Sequence, residues 1–274
     1  MSKLVKSKRV YVLYPLVIVV LVLVVYACLE KESRKEYQAI PIESRTNSFS
    51  SDFYHVLVEY PIEQWDYQDN LKRYVDETVA FYRRDWTAGG MHYEDEMLAR
   101  EQNPEREYPK FELNIRYEKF SSNKLNTHSY LYYTYIYTGG ANGMTTVHSL
   151  NFNNNGLLGL TDVFQLNKKQ EIQLTRLLAQ KAASMPDVFD KKIVWQGLGL
   201  NFLKPDGLNV DSTKLKGTNF QFSDNFKNFI IGDEGVHFYF DKYKISSGDA
   251  GTPSVHLDWQ QLTPFINNNL ISLK

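Results

Sequence analysis

The chain has 274 residues, 43% of them hydrophobic, with 31 Lys and Arg against 32 Asp and Glu, enough apolar content to build a sizeable core and to exclude disorder over most of its length. Four cations (Lys3, Lys6, Lys8 and Arg9) precede residue 10, so 31 less 4 leaves 27 cations against 32 anions, a net −5 without a basic block, which argues against nucleic-acid binding. The single cysteine, Cys28, excludes an internal disulfide framework and a cysteine-based zinc site.

Residues 1–9 form a basic n-region, and an 18-residue apolar run follows from Val10 to Ala27. As a helix at about 1.5 Å per residue this run reaches roughly 27 Å, enough to cross a thin hydrocarbon core. All flanking cations on its N-terminal side leave residues 1–9 in the cytoplasm and the remainder outside. Residues 10–27 are therefore expected to contact the membrane, as a transmembrane or signal segment of a single-pass cell-membrane protein. Val25-Tyr26-Ala27-Cys28 partly resembles the lipobox of bacterial lipoproteins, making Cys28 a candidate lipidation site. An uncleaved anchor is the leading expectation, since the run exceeds the roughly 7–15 residues of a cleavable signal core, with a lipoprotein as the alternative and free secretion after it. Residues 28–52 are polar and lack an apolar period, so they are expected to be a linker, with the extracytoplasmic domain spanning 53–274.

Tyr54, Val56, Val58 and Tyr60 alternate with polar neighbours before Pro61, the signature of a strand with one buried face. From Leu71 the apolar positions Leu71, Tyr74, Val75, Thr78, Val79 and Tyr82 predict one helical face, with Asp66 or Asp69 as N-cap and Gly89-Gly90 as terminator. Residues 91–109 are charged and carry no periodic signal. Phe111, Leu113, Ile115 and Tyr117 predict a second strand, and the aromatic run Tyr130–Tyr137 a third, flanked by two others or covered on both faces. Thr138-Gly-Gly-Ala-Asn-Gly143 then forms the tip of a hairpin to a strand from Met144 to Phe152, which ends at the Asn153–Gly156 turn. A helix is predicted over Lys168 to Ala183, residues 184–224 read as irregular, and three short strands follow at 226–231, 236–240 and 255–259, with a short helix after Trp259. The order predicts an α+β fold, an antiparallel sheet with helices packed on it.

His55, His237 and His256 are expected on the polar faces of strands, but no pair has helical i, i+4 ligand spacing, so no metal site is expected. The chain lacks Gly-x-Ser-x-Gly, Ser-x-x-Lys and His-Glu-x-x-His, and Thr138–Gly143 lacks the lysine of a phosphate loop, so neither catalytic residues nor a cofactor are assigned. Carboxylates at 94–96 and 187–190, or the pair His256 and Asp258, are the candidates left for a hydrolase.

One resemblance rests on Tyr135-Ile-Tyr137-Thr-Gly-Gly-Ala-Asn-Gly143, then Asn151-Phe152, Gly156 and Leu160-Thr-Asp162-Val-Phe164. This pattern resembles the extracytoplasmic domain shared by RsiV-type anti-sigma factors and PdaC-type peptidoglycan deacetylases, with Asn142 where that family usually has His. The resemblance marks Tyr137, Thr138, Gly139, Gly140, Asn142 and Gly143 as either a ligand-binding motif or a structural turn. Nine residues before the apolar run are too few to hold a sigma factor, and the chain stops where the deacetylases append a catalytic domain. The resemblance thus implies a non-catalytic, membrane-anchored envelope module whose ligand is peptidoglycan or a lysozyme; an acidic exported part suits a basic lysozyme. An envelope hydrolase acting on peptidoglycan or another glycan is the alternative.

Overall fold

The alternation that puts Tyr54, Val56 and Val58 on one side of a strand, and the stripe that puts Leu71, Val75 and Val79 on one side of a helix, are complementary apolar surfaces. In the computed structural model, which describes residues 44–63, 67–185 and 190–267, they meet. The sheet that carries them has six strands in sequence order: β1 (Ser44–Ser50), β2 (Tyr54–Pro61), β3 (Phe111–Ser122), β4 (Thr127–Tyr137), β5 (Met144–Asn153) and β6 (Gly156–Leu158). Helix α1 (Gln68–Asp85) lies on one face. Leu71, Val75, Val79 and Trp86 are buried there against Val56, Val58, Leu113, Ile115, Tyr130 and Tyr132. Each such aliphatic side chain contributes about 1.5–3 kcal/mol on leaving water.

A second sheet, β7 (Phe229–Ile231), β8 (Gly235–Tyr239) and β9 (Ser254–Asp258), packs through β7 on the opposite face of β3, β4 and β5. Helix α4 (Lys168–Ala183) seals it from outside, burying Ile172, Leu174, Leu178 and Ala182 with Phe226, Phe229, Val236, Phe238, Val255 and Leu257. The remaining helices are short: α3 (Leu160–Val163), α5 (Lys191–Gly197), α6 (Ser212–Leu215) and α7 (Trp259–Leu262), with α2 (Met91–Gln102) beside α1.

The junction between the sheets is polar and buried. In the β7–β8 ladder, Phe229 and Ile231 turn their backbone groups away from β8, since Asn228 and Gly232 bond to it instead. Side chains of β4 and β5 meet them: Phe229 N donates to Ser149 Oγ (2.9 Å), Ile231 N to Ser129 Oγ (3.4 Å), and Asn151 Nδ2 to Phe229 O (3.0 Å). Ser129 Oγ donates in turn to Asn151 Oδ1 (2.6 Å). Three polar residues thereby replace the strand that β7 lacks on that edge.

The fold class is α+β, and both glycine-rich hairpin strands pair as expected, Tyr132 opposite His148 and Tyr133 opposite Val147. Several expectations are corrected. The sheet is not antiparallel throughout: β2 and β3 run parallel, Val56 opposite Leu113, because α1 and α2 supply the crossover that a parallel pair requires. Part of the expected linker is strand β1, whose seven residues, all polar but Phe49, pair antiparallel with β2 from Ser44–Pro61 to Ser50–His55; an edge strand half in water needs no apolar alternation. Helix α1 has Tyr67 at its N-cap with no side-chain cap, Asp69 sits inside its first turn, and Asp66 lies outside the described residues. Its entry is fixed by Gln68, which accepts from Glu63 N (2.8 Å) and donates to Pro61 O (2.9 Å). Residues 91–102 are helical although none is buried, held by i, i+4 pairing of Arg100 with Glu96 (2.9 Å) and by Glu94 accepting from Gly89 N (2.9 Å). Segments 1–9 and 10–27, and Cys28, lie outside the described residues; among the described residues no helix is long and apolar enough to cross a membrane.

Candidate functional site

Strand β4 sends even-numbered side chains to the α1 face and odd-numbered ones to the other. Toward its N-terminal end the odd face is covered by β7; at its C-terminal end it is open. Tyr133, Tyr135 and Tyr137 therefore form a stripe that emerges from the core, from buried Tyr133 to half-buried Tyr135 and Tyr137. Their cross-strand neighbours on β3 are Arg116, Asn114 and Glu112. The Arg116 guanidinium lies 4.7 Å from the Tyr133 ring centroid, and Tyr133 OH donates to Glu118 Oε2 (2.9 Å). Burial, then the Glu118 charge, raises the Tyr133 pKa, so its hydroxyl stays protonated and orients this face. Aromatic rings flanked by an amide, a guanidinium and carboxylates on a rigid sheet make a surface able to stack on and hydrogen-bond a polar, ring-shaped ligand.

The tip beside this stripe is exposed except at Gly143. Gly139 has φ of +86°, which a side chain resists, and an added Cβ at Gly143 would overlap the Tyr135 ring. Gly140 has open space and needs no glycine. Asn142 has an ordinary negative φ, so tolerance of a left-handed backbone does not explain its place: among described non-glycine residues only Asn126 and Tyr243 have positive φ. Thus the motif divides. Gly139 and Gly143 are structural, whereas Thr138, Gly140 and Asn142 are presented to solvent beside Tyr137.

A residue without an assigned role joins them. Where β6 ends, the edge of β5 is taken up by 241–242: Lys242 N donates to Thr145 O (2.9 Å), Val147 N to Asp241 Oδ1 (2.8 Å), and Lys242 Nζ reaches Gly143 O (3.4 Å). The next residue, Tyr243, has φ of +70° and is 47% exposed, with the Lys242 ammonium 5.0 Å from its ring centroid and Gly248 leaving room behind the ring. A strained, exposed aromatic beside the tip is a candidate contact residue. No hydrophobic period in the sequence singles it out; only the fold brings it to the tip.

The other candidates are occupied structurally. Asp162 accepts from Gly159 N (2.7 Å) at the start of α3, while Val163 and Phe164 are buried, Phe164 edge-on to Phe229 at 5.7 Å; the Leu160–Phe164 motif is a cap and two core anchors. Asp258 accepts from Gln261 N (2.8 Å) as the N-cap of α7, and His256 faces His237 across β8 and β9 at 4.4 Å between ring centroids. His55 is exposed on β2 in the other sheet, so the three histidines do not share a face. Burial, then the neighbouring His256, pushes the His237 pKa down to about 4. Asp190 caps α5, and Asp187 lies outside the described residues. Among the described residues no three His, Cys, Asp or Glu side chains converge as metal ligands.

An α+β architecture of a six-stranded sheet covered by a three-stranded one is the class this fold defines, and solved structures share it. A DUF3298 family protein from Pseudomonas aeruginosa PAO1 matches 85% of this chain and 97% of its own with a TM-score of 0.50 at 14% identity. A DUF3298 family member from Bacteroides fragilis NCTC 9343 matches 88% of this chain and 99% of its own with a TM-score of 0.52 at 18% identity. Residues 161–260 match the family described as "Protein of unknown function (DUF3298)". The chain also resembles the peptidoglycan-N-acetylmuramic acid deacetylase PdaC of Bacillus subtilis (strain 168), at 21% identity over 221 residues, 80% of this chain. It spans 40% of that relative's length. The tyrosine stripe and the glycine tip precede the segment matched to the family.

Proposed function

We propose that the protein is a non-catalytic, membrane-anchored module of the bacterial envelope that binds the glycan of peptidoglycan on the open end of β4. The observation that carries this reading is the stripe Tyr133–Tyr135–Tyr137, graded from core to solvent and bordered by Arg116, Asn114 and Glu112, with the exposed tip and Tyr243 beside it. Likeness to a protein named for action on peptidoglycan supports the choice of ligand. Capping duties of Asp258, Asp162 and Asp190 leave those carboxylates bound to backbone amides, which disfavours the hydrolase reading.

Co-sedimentation of the full-length chain with purified peptidoglycan sacculi tests this. Retention that Tyr137→Ala and Tyr243→Ala each weaken roughly tenfold is expected, with the sacculi chemically unchanged by mass spectrometry. Binding to a lysozyme but not to sacculi would replace the glycan with a protein ligand on the same face. Release of acetyl groups or glycan fragments would establish the hydrolase.

A further inference from the structure

A second concavity lies outside the tyrosine face. Between the N-terminal half of α4 and the 208–223 segment is a cleft of about 910 Å³, within the range of small-molecule sites. Its walls are mostly apolar: buried Ile172 and Phe222 form the floor, with Val210, Leu215 and Phe220 around them, Leu208, 53% exposed, at the lip, and Asn209, Gln221 and Ser223 as the polar part of the lining. Two exposed ammonium groups, Lys168 and Lys169, stand on its rim against one carboxylate, Glu171.

A third cation lies outside the lining, next to the lip. Arg176 is one helical turn beyond Ile172, and its guanidinium rests on Gly207, where any added Cβ would overlap it. Gly207 precedes the lip residue Leu208. The Arg176 Nε is buried without a hydrogen-bond partner, and the side chain has no ion-pair partner among the described residues. Mostly apolar walls with a cationic border are complementary to one kind of molecule, an anion with an apolar body.

We propose that this cleft is a binding site for a solvent-borne amphiphilic anion, an aryl or acyl chain seated on Ile172, Phe220 and Phe222 with its charged head at Lys168 and Lys169. A concave cleft between two walls encloses one such molecule, whereas docking on a bilayer calls for a protruding apolar surface. The site is independent of the glycan reading.

Calorimetric titration of the full-length chain in zwitterionic lipid nanodiscs, with empty nanodiscs as reference, tests it. The probes are naphthalene-2-sulfonate and its neutral counterpart naphthalene-2-methanol. One saturable site is expected, about tenfold tighter for the sulfonate. The double variant K168E/K169E should remove that preference while keeping the alcohol, and Leu208→Asp should weaken both; all three positions are exposed, so unchanged melting confirms folding. Tyr137→Ala should leave the site intact, which separates it from the tyrosine face. Absence of a saturable site, or a sulfonate affinity indifferent to both variants, overturns the proposal. Binding only to anionic vesicles, lost in the same variants, overturns it in favour of a bilayer surface.

Discussion

Three glycines within five residues, Gly139, Gly140 and Gly143, look equivalent in the sequence, yet their surroundings differ. Gly139 occupies a left-handed conformation, Gly143 lies under the Tyr135 ring, and Gly140 is unconstrained. Replacing Gly139 by Ala should therefore cost about 1 kcal/mol, and Gly140→Ala should stay within about 0.5 kcal/mol of the parent. Gly143→Ala should lower stability and also displace Tyr135, so it should weaken glycan retention as well. Thermal melting of the three variants checks the ranking; equal losses at all three would contradict this division. Legibility ran out here for a physical reason: glycine spacing announces a tight turn, but which glycine bears a positive φ depends on how β4 and β5 are joined, and Tyr243 reaches the tip only through pairing of residues a hundred positions apart.

Among the elements, those with a strong single-residue period were readable. Helix α1 shows its buried stripe directly, and β3, β4 and β5 show theirs by alternation or aromatic content. Helix α2 buries no residue and β1 has Phe49 as its one apolar side chain, so neither carries a hydrophobic period. Parallel pairing of β2 with β3 was hidden because it follows from the crossover, not from either strand's composition. Strand β7 is the sharpest case, since it depends on Ser129, Ser149 and Asn151, polar residues in strands that otherwise read as core. Ser149→Ala should leave the Phe229 amide buried and unpaired, costing about 1–3 kcal/mol. Denaturant unfolding measures the loss, and faster hydrogen exchange at Phe229 should localise it. An unchanged midpoint with unchanged exchange would mean that packing alone holds β7.

At the scale of the whole molecule, acid should destabilise the protein before its carboxylates titrate. Burial lowers the pKa of His128, His148, His237 and His256, that of His237 to about 4 from an ordinary 6.5. Between those values the unfolded chain binds protons that the folded one refuses, so stability is full above pH 6.5 and falls as pH drops toward 4. Asp206, Asp211, Asp224 and Asp233 are held below the usual carboxylate range, so their contribution is lost only at still lower pH. His237→Gln should flatten the limb between 6.5 and 4 by on the order of 2 kcal/mol, measured as melting temperature against pH. A limb of unchanged slope would assign the acid sensitivity elsewhere.

The polar junction beneath β7 also bears on modularity. The segment matched to a known family starts at residue 161, but the groups that complete β7 belong to β4 and β5, and the edge of β5 is completed by Asp241 and Lys242. A boundary drawn at 161 cuts across reciprocal hydrogen bonding: the C-terminal piece would bare the amides of Phe229 and Ile231 to whatever strand came near, and the N-terminal piece would lose the support of its glycine tip. The two halves are interdependent, and recombination or truncation that respects only the matched segment yields two open sheet edges in place of one protein.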